Sequence, residues 1–187
     1  MNATNAVDGR AQYLSFGLAG GDYAIGILKV KEILQYEEIT PVPSTPRSIR
    51  GVINLRGSVV PVVDLAVKFG LEATPVTKRT CILVFEVTIA GAEMVMGLVT
   101  DSVTEVIELG PEDIEAAPSF GTGVRVDYLV GMGKVGKGFV LLLDLEKVLS
   151  ADEREFVRDA ADAELVDPSE GHAPVSGEPA GPSASPP

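Results

Sequence analysis

Apolar residues in this chain come in short runs, most of them rich in valine and isoleucine and closed by glycine or proline. Such punctuation predicts strands more than helices. Tyr13-Leu14-Ser15-Phe16-Gly17-Leu18 leads to Gly20-Gly21-Asp22, and Tyr23-Ala24-Ile25-Gly26-Ile27 follows, which reads as a hairpin about a glycine turn. Further strands are expected over residues 35–39, 52–55, 59–63, 80–87, 94–99, 103–108, 128–132 and 138–143. Helical signals are fewer. They predict one turn over 46–49, a short helix over 64–69 capped by Asp64 and stopped near Gly70, and a longer helix over about 144–158.

The pattern is repeated. Gly51-Val52-Ile53-Asn54-Leu55-Arg56-Gly57-Ser58, followed by Val59-Val60-Pro61-Val62-Val63-Asp64-Leu65, returns eighty residues later as Gly131 to Gly138 and then Phe139-Val140-Leu141-Leu142-Leu143-Asp144-Leu145. The first glycine, the five apolar residues and the Asp-Leu pair recur, whereas Arg56 does not. A second echo relates Ile25-Gly26-Ile27-Leu28 and Val30-Lys31-Glu32-Ile33 to Met96-Gly97-Leu98-Val99 and Val103-Thr104-Glu105-Val106. Two halves with the same order of elements, each with about five short strands, suggest two small related β-barrels. Barrel closure would remove most exposed edges from these Val-rich strands.

Composition sets limits on chemistry. The net charge is −12, of which −7 falls after Ser150. The remainder is still acidic, which argues against nucleic acid, where phosphates demand a basic face. From Pro168 onward the chain is mostly Pro, Gly, Ser, Ala and Glu. Such a segment buries too little apolar surface to offset its ordering entropy, so residues 159–187 are expected to form a disordered acidic tail and residues 1–11 a flexible start. No apolar run approaches the roughly eighteen residues of a membrane span, and residues 1–10 lack a signal-peptide core. A cytoplasmic protein without direct membrane insertion is the expectation. The single cysteine, Cys81, reads as a small buried thiol in a strand.

Catalytic and cofactor chemistry find little support. Gly131-Met132-Gly133-Lys134-Val135-Gly136 satisfies the glycine spacing of a dinucleotide loop, but the strand-like Phe139 to Leu143 stands where a helix should begin. The only histidine, His172, falls in the expected tail, so histidine triads and histidine metal sites have no ligand in the folded part. No cofactor or metal is expected. The acidic pairs Glu37-Glu38, Glu112-Asp113 and Asp152-Glu153 read as solvated faces, and Asp64 and Asp144 as helix caps. Arg56 has two readings. It is a solvated turn cation, or it pairs with Glu32 across a strand surface and keeps donors for a partner, with Val30 and Ile33 as an apolar patch beside it.

Residues 51–57 together with 59–65 resemble the signature of the CheW family of bacterial chemotaxis coupling proteins. Phe16 to Leu18, Tyr23 to Ile25, Ile27 to Ile33, Gly97 to Val103 and Tyr128 to Gly131 resemble its other blocks, so the likeness covers about residues 12–150 and the domain it implies is expected over 12–158. The resemblance implies an all-β fold of two intertwined SH3-like five-stranded barrels with short helices, and no catalytic activity. It also implies an adaptor that joins the regulatory domain of the histidine kinase CheA to the cytoplasmic tip of methyl-accepting chemoreceptors and is recruited to membrane-associated receptor arrays. A CheW-like scaffold for another receptor-coupled output, such as surface motility, is the alternative. The positions matching the family's interaction determinants are Val30, Glu32, Ile33, Gly51, Asn54, Arg56 and Gly57 in the first half, with Gly97, Val103 and Val106 in the second. Ser48 departs from the pattern, standing where many relatives carry a larger apolar side chain, and so does the acidic tail.

Overall fold

The computed structural model describes residues 9–119 and 124–163. Alternating burial in the apolar runs produces eleven strands among them: β1 (Ala11–Leu18), β2 (Gly21–Gly26), β3 (Val30–Gln35), β4 (Ile49–Leu55), β5 (Ser58–Asp64), β6 (Cys81–Ile89), β7 (Ala92–Thr100), β8 (Ser102–Leu109), β9 (Ile114–Glu115), β10 (Leu129–Val135) and β11 (Gly138–Leu143). Three helices accompany them: α1 (Leu65–Lys68), α2 (Leu145–Val148) and α3 (Ala151–Ala163). The strands form two sheets, ordered β8-β1-β2-β11-β10-β9 and β3-β6-β7-β5-β4.

This order interleaves the two halves of the repeat. The hairpin β1–β2 pairs with β8 and β11 from the second half, and β3 leaves its own hairpin to pair with β6. The repeats have exchanged strands, so the five-stranded sheet is built from residues 30–100 and the six-stranded sheet from both flanks. Neither sheet closes on itself through strand pairing among the described residues. Three apolar clusters follow from this arrangement. The largest lies between the sheets and takes Phe16, Ile49, Val63, Phe85, Leu98, Leu143 and Val157. A second covers the face of the five-stranded sheet away from the main core with Ile53, Val60, Val62, Ile82, Val84 and Val99, and a third covers the corresponding face of the other sheet with Ala24, Leu109, Val140 and Leu142. Strand β6 is apolar on both faces because Leu83 and Phe85 serve one cluster while Ile82 and Val84 serve another.

The repeated glycine frame has a backbone cause. Gly51 and Gly131 each sit at a register shift, in β4 against β5 and in β10 against β11. A Cβ on Gly51, whose φ is 145°, would collide with the Thr40 carbonyl, and one on Gly131 would lie 2.6 Å from the Glu115 oxygen. Asp64 and Asp144 cap α1 and α2, each accepting from two backbone N–H groups of the helix that follows.

Several expectations need revision. The strand expected over 35–39 ends at Gln35, its start being Val30. The helix expected over 144–158 is two helices, α2 and α3, separated at Leu149 and Ser150, and α3 extends through 159–163, which had been assigned to the tail. Residues 164–187 lie outside the described part, as do 1–8. The start is not flexible as far as residue 11, for Ala11 opens β1 and Arg10 pairs with Glu108, Glu112 and Asp113. Cys81 is half-buried at the beginning of β6, its thiol donating to the Arg79 carbonyl. Gly131 to Gly138 form the β10–β11 hairpin with Gly136 in its turn, so no helix N-terminus follows the glycines.

Candidate functional site

The turn between β4 and β5 holds Arg56 and Gly57 at φ values of 53° and 91°. Two other hairpins turn the same way, through Ala19-Gly20 at 49° and 80° and Ala90-Gly91 at 51° and 83°. Both central residues of such a turn need positive φ, which costs a side chain about 1 kcal/mol. Alanine is the small choice in two of the turns, and a long cation stands in the third. Asn54 supports it, its Oδ1 accepting from the Gly57 N–H at 2.8 Å. At the corresponding places of the second half stand Lys134 and Gly136.

Arg56 donates from Nη2 to Glu32 Oε1 at 2.8 Å. Its side chain is 75% exposed, that of Glu32 29%. Glu32 lies in β3, at the opposite edge of the five-stranded sheet from β4. The ion pair therefore links the β4–β5 turn to the opposite edge of the sheet, and a backbone bridge between Thr40 and Val52 ties the segment after β3 to β4. Of the two readings of Arg56, the pair with Glu32 is the one formed, with most of the guanidinium side chain still exposed.

The other expected site residues divide. Asn54 and Gly57 sit with Arg56 in the exposed turn. Ile33 is 46% exposed, but Val30 packs against the main core, so the two do not make one patch around Glu32. Val106 and Val103 repeat this division on β8, the edge of the other sheet, with Val106 50% exposed and Val103 against the core. Gly51 and Gly97 are buried, and a Cβ on Gly97 would lie 3.0 Å from both Ile82 and Val62. Burial restricts these two glycines to shaping the backbone.

Some polar residues could not be placed from the sequence. Glu153, expected on a solvated helix face, is buried. Its carboxylate accepts from Ser48, from Lys68 Nζ at 2.6 Å and from the Ser150 N–H at 2.7 Å. Burial pushes its pKa up, but these donors outweigh burial and hold it below the usual value. Ser48 thus stands in a polar contact where a larger apolar side chain had been the expected pattern. Arg50 is a second such case. It donates to the fully buried Asp64 at 2.9 Å and to the Thr74 carbonyl at 2.5 Å, while Thr74 donates back to Asp64 through its N–H and hydroxyl. No cluster of His, Cys, Asp and Glu among the described residues is arranged to hold a metal ion.

The β10–β11 tip differs. Where its counterpart carries the Arg56–Glu32 pair, it borders a groove of about 180 Å³ between Ile107, Val135 and Phe139, with Phe139 53% exposed. Residues 12–153, carrying both copies of the frame, match the CheW-like domain. The chain belongs to the CheW family. The chemotaxis protein CheW of Klebsiella aerogenes is 38% identical over 150 residues, covering 80% of this chain and 88% of that protein. CheW of Rhizobium meliloti is 29% identical over 153 residues, covering 82% and 96%. The crystal structure of the scaffolding protein TtCheW from Thermoanaerobacter tengcongensis superposes with a TM-score of 0.67 at 31% identity, over 76% of this chain and 90% of that one. The register shifts at Gly51 and Gly131 and the caps at Asp64 and Asp144 make the frame architectural, and the exposed turn of β4 and β5 is where the chain displays a charge.

Proposed function

We propose that this protein is a non-catalytic chemotaxis adaptor that couples methyl-accepting receptors to the histidine kinase CheA. Family membership supports the coupling role, and the Arg56–Glu32 pair is the observation that carries the choice of surface. Its guanidinium is held by one carboxylate on one side and open to solvent on the other, so it orients before a partner arrives and loses less freedom on binding. Apolar side chains exposed near strand edges, Ile33 in β3 with Leu28 just before it and Val106 and Phe139 on the second sheet, supply the contact area. Each sheet acts as an SH3-like barrel, curled around its own small core, and residues 12–158 act as one unit. The CheA regulatory domain and the cytoplasmic receptor tip are the partners, and binding both recruits the protein from the cytoplasm to receptor arrays. Val30, Val103 and Gly51 contribute by holding the edge strands in shape, and Gly97 by leaving room for Ile82 and Val62 against the central strand β7.

The test is kinase activation in a reconstituted receptor–CheA assay with Arg56→Ala and Glu32→Ala. An exposed ion pair contributes only about 0–1 kcal/mol to folding, so both variants should melt close to wild type. Activation should fall in both. Full activation by the Arg56 variant would remove the turn from the coupling surface.

A further inference from the structure

The loop that joins α1 to β6 is exposed along most of its length, yet it is held at both ends. Thr74 is buried and gives its N–H and hydroxyl to Asp64, while its carbonyl accepts from Arg50. Thr80 is buried too, its hydroxyl donating to the Pro75 carbonyl and accepting from the Thr77 N–H at 2.8 Å. The Thr77 hydroxyl accepts in turn from the Arg79 N–H. Between the two anchors Pro75, Val76, Lys78 and Arg79 are exposed. Neither cation has an ion-pair partner among the described residues. A surface loop ordered in this way loses little freedom on binding. With Asp101 and Ser102 at the β7–β8 corner, Pro75, Thr77, Lys78 and Arg79 line a cavity of about 510 Å³. Asp101 holds the β1–β2 turn there, its Oδ2 accepting from the Ala19 N–H at 2.8 Å. Its Oδ1 is buried and has no hydrogen-bond partner among the described residues. Such an oxygen is costly without a donor, so a donor that reaches it is favoured.

We infer that this cavity and its rim dock an acidic segment of a protein partner, distinct from the partner that reads Arg56. Lys78 and Arg79 attract its carboxylates, Pro75 and Val76 give apolar contact, and Asp101 accepts from a peptide N–H. The same Asp101 carboxylate repels phosphate, which favours a peptide over a lipid headgroup. The position suits an adaptor. The loop leads into Cys81, which pairs with Thr100, at the end of the sheet where Asp64 closes β5 beside Val99. The Arg56 turn lies at the opposite end, where Leu55 faces Ser58. The seven residues of β5 set the two ends about 20 Å apart at the usual strand rise. Two partners can then be held at once without overlap. The identity of the partner rests on the adaptor role proposed above.

The test is titration of wild type, Lys78→Glu/Arg79→Glu and Arg56→Ala with the CheA regulatory domain and, separately, with a receptor cytoplasmic fragment. Both loop side chains are exposed, and the loop's hydrogen bonds use the Arg79 backbone alone, so the double variant should melt close to wild type. Its affinity for one partner should fall about ten-fold or more, and raised salt should shrink the difference. Its affinity for the other should hold. Arg56→Ala should show the reverse preference. Unchanged affinity for both partners in the double variant would overturn the inference, and so would an equal loss for both. Loss of one partner in the double variant, with no effect of Arg56→Ala, would keep this surface and remove the role of the Arg56 turn. Cosedimentation with phosphatidylserine vesicles tests the lipid alternative. Vesicle binding by wild type that the double variant loses, with both partner affinities intact, would overturn the acidic segment in favour of lipid. Wild type binding neither partner would remove the coupling role and this inference together.

Discussion

Arg56 occupies a left-handed turn position that glycine fills at the matching place in the second hairpin, Gly136. Replacing it with glycine relieves the strain while adding some freedom to the unfolded chain, so Arg56→Gly should unfold within about 1 kcal/mol of wild type. Denaturant titration checks this, and the same variant should fail to activate the kinase. Gly51 behaves oppositely. A methyl there meets the Thr40 carbonyl at a strained φ, and Gly51→Ala should cost about 3 kcal/mol or more, visible as a lowered urea midpoint. These roles were legible because the repeat subtracts architecture: what both halves keep serves the backbone, and what one half adds is available for display. Asn54 shows where that subtraction stops. It is an addition of the first half, yet its visible task is a local hydrogen bond to the Gly57 N–H that steadies the turn.

Helix α3 shows the same boundary in a longer segment. Its acidic first turn reads as solvated, yet Glu153 is among the most deeply buried side chains. Its donors Lys68 and Ser48 lie 85 and 105 positions earlier in the chain, beyond any local pattern. Removing the carboxylate leaves Lys68 mostly buried without its anion, so Glu153→Ala should lose roughly 3 kcal/mol, measured by chemical denaturation. The pH dependence has a definite sign. Because the folded carboxyl is held below its ordinary value, its stabilisation is complete above the unfolded pKa, roughly 4.3, and is lost as pH falls through the folded value. Thermal melts between pH 7 and pH 3 should show wild type losing stability below about pH 4.3, and a shallower acid limb in Glu153→Gln. An identical acid limb would mean that other carboxylates carry the effect.

Because strands are exchanged between the two repeats, neither repeat should fold without the other. A fragment of residues 9–79 would lack β6 and β7 beside β3 and β5, and β8 and β11 beside β1 and β2. Neither it nor residues 80–163 should give a dispersed amide spectrum alone, and mixing the two should restore one. A folded single fragment would show that the repeats retain independent stability. Most strand positions, the hairpin turns, the caps of α1 and α2 and the glycine frame were present in the order of residues, though not β3 or β9, because period-two burial and turn chemistry act between near neighbours. The pairing of β3 with β6 and of β1 with β8, the meeting of Glu32 with Arg56, and the burial of Glu153 emerged on folding. Each depends on which surfaces pack together across long stretches of chain, and the energies that select among such pairings reside in shared cores to which no single segment contributes enough to declare its partner.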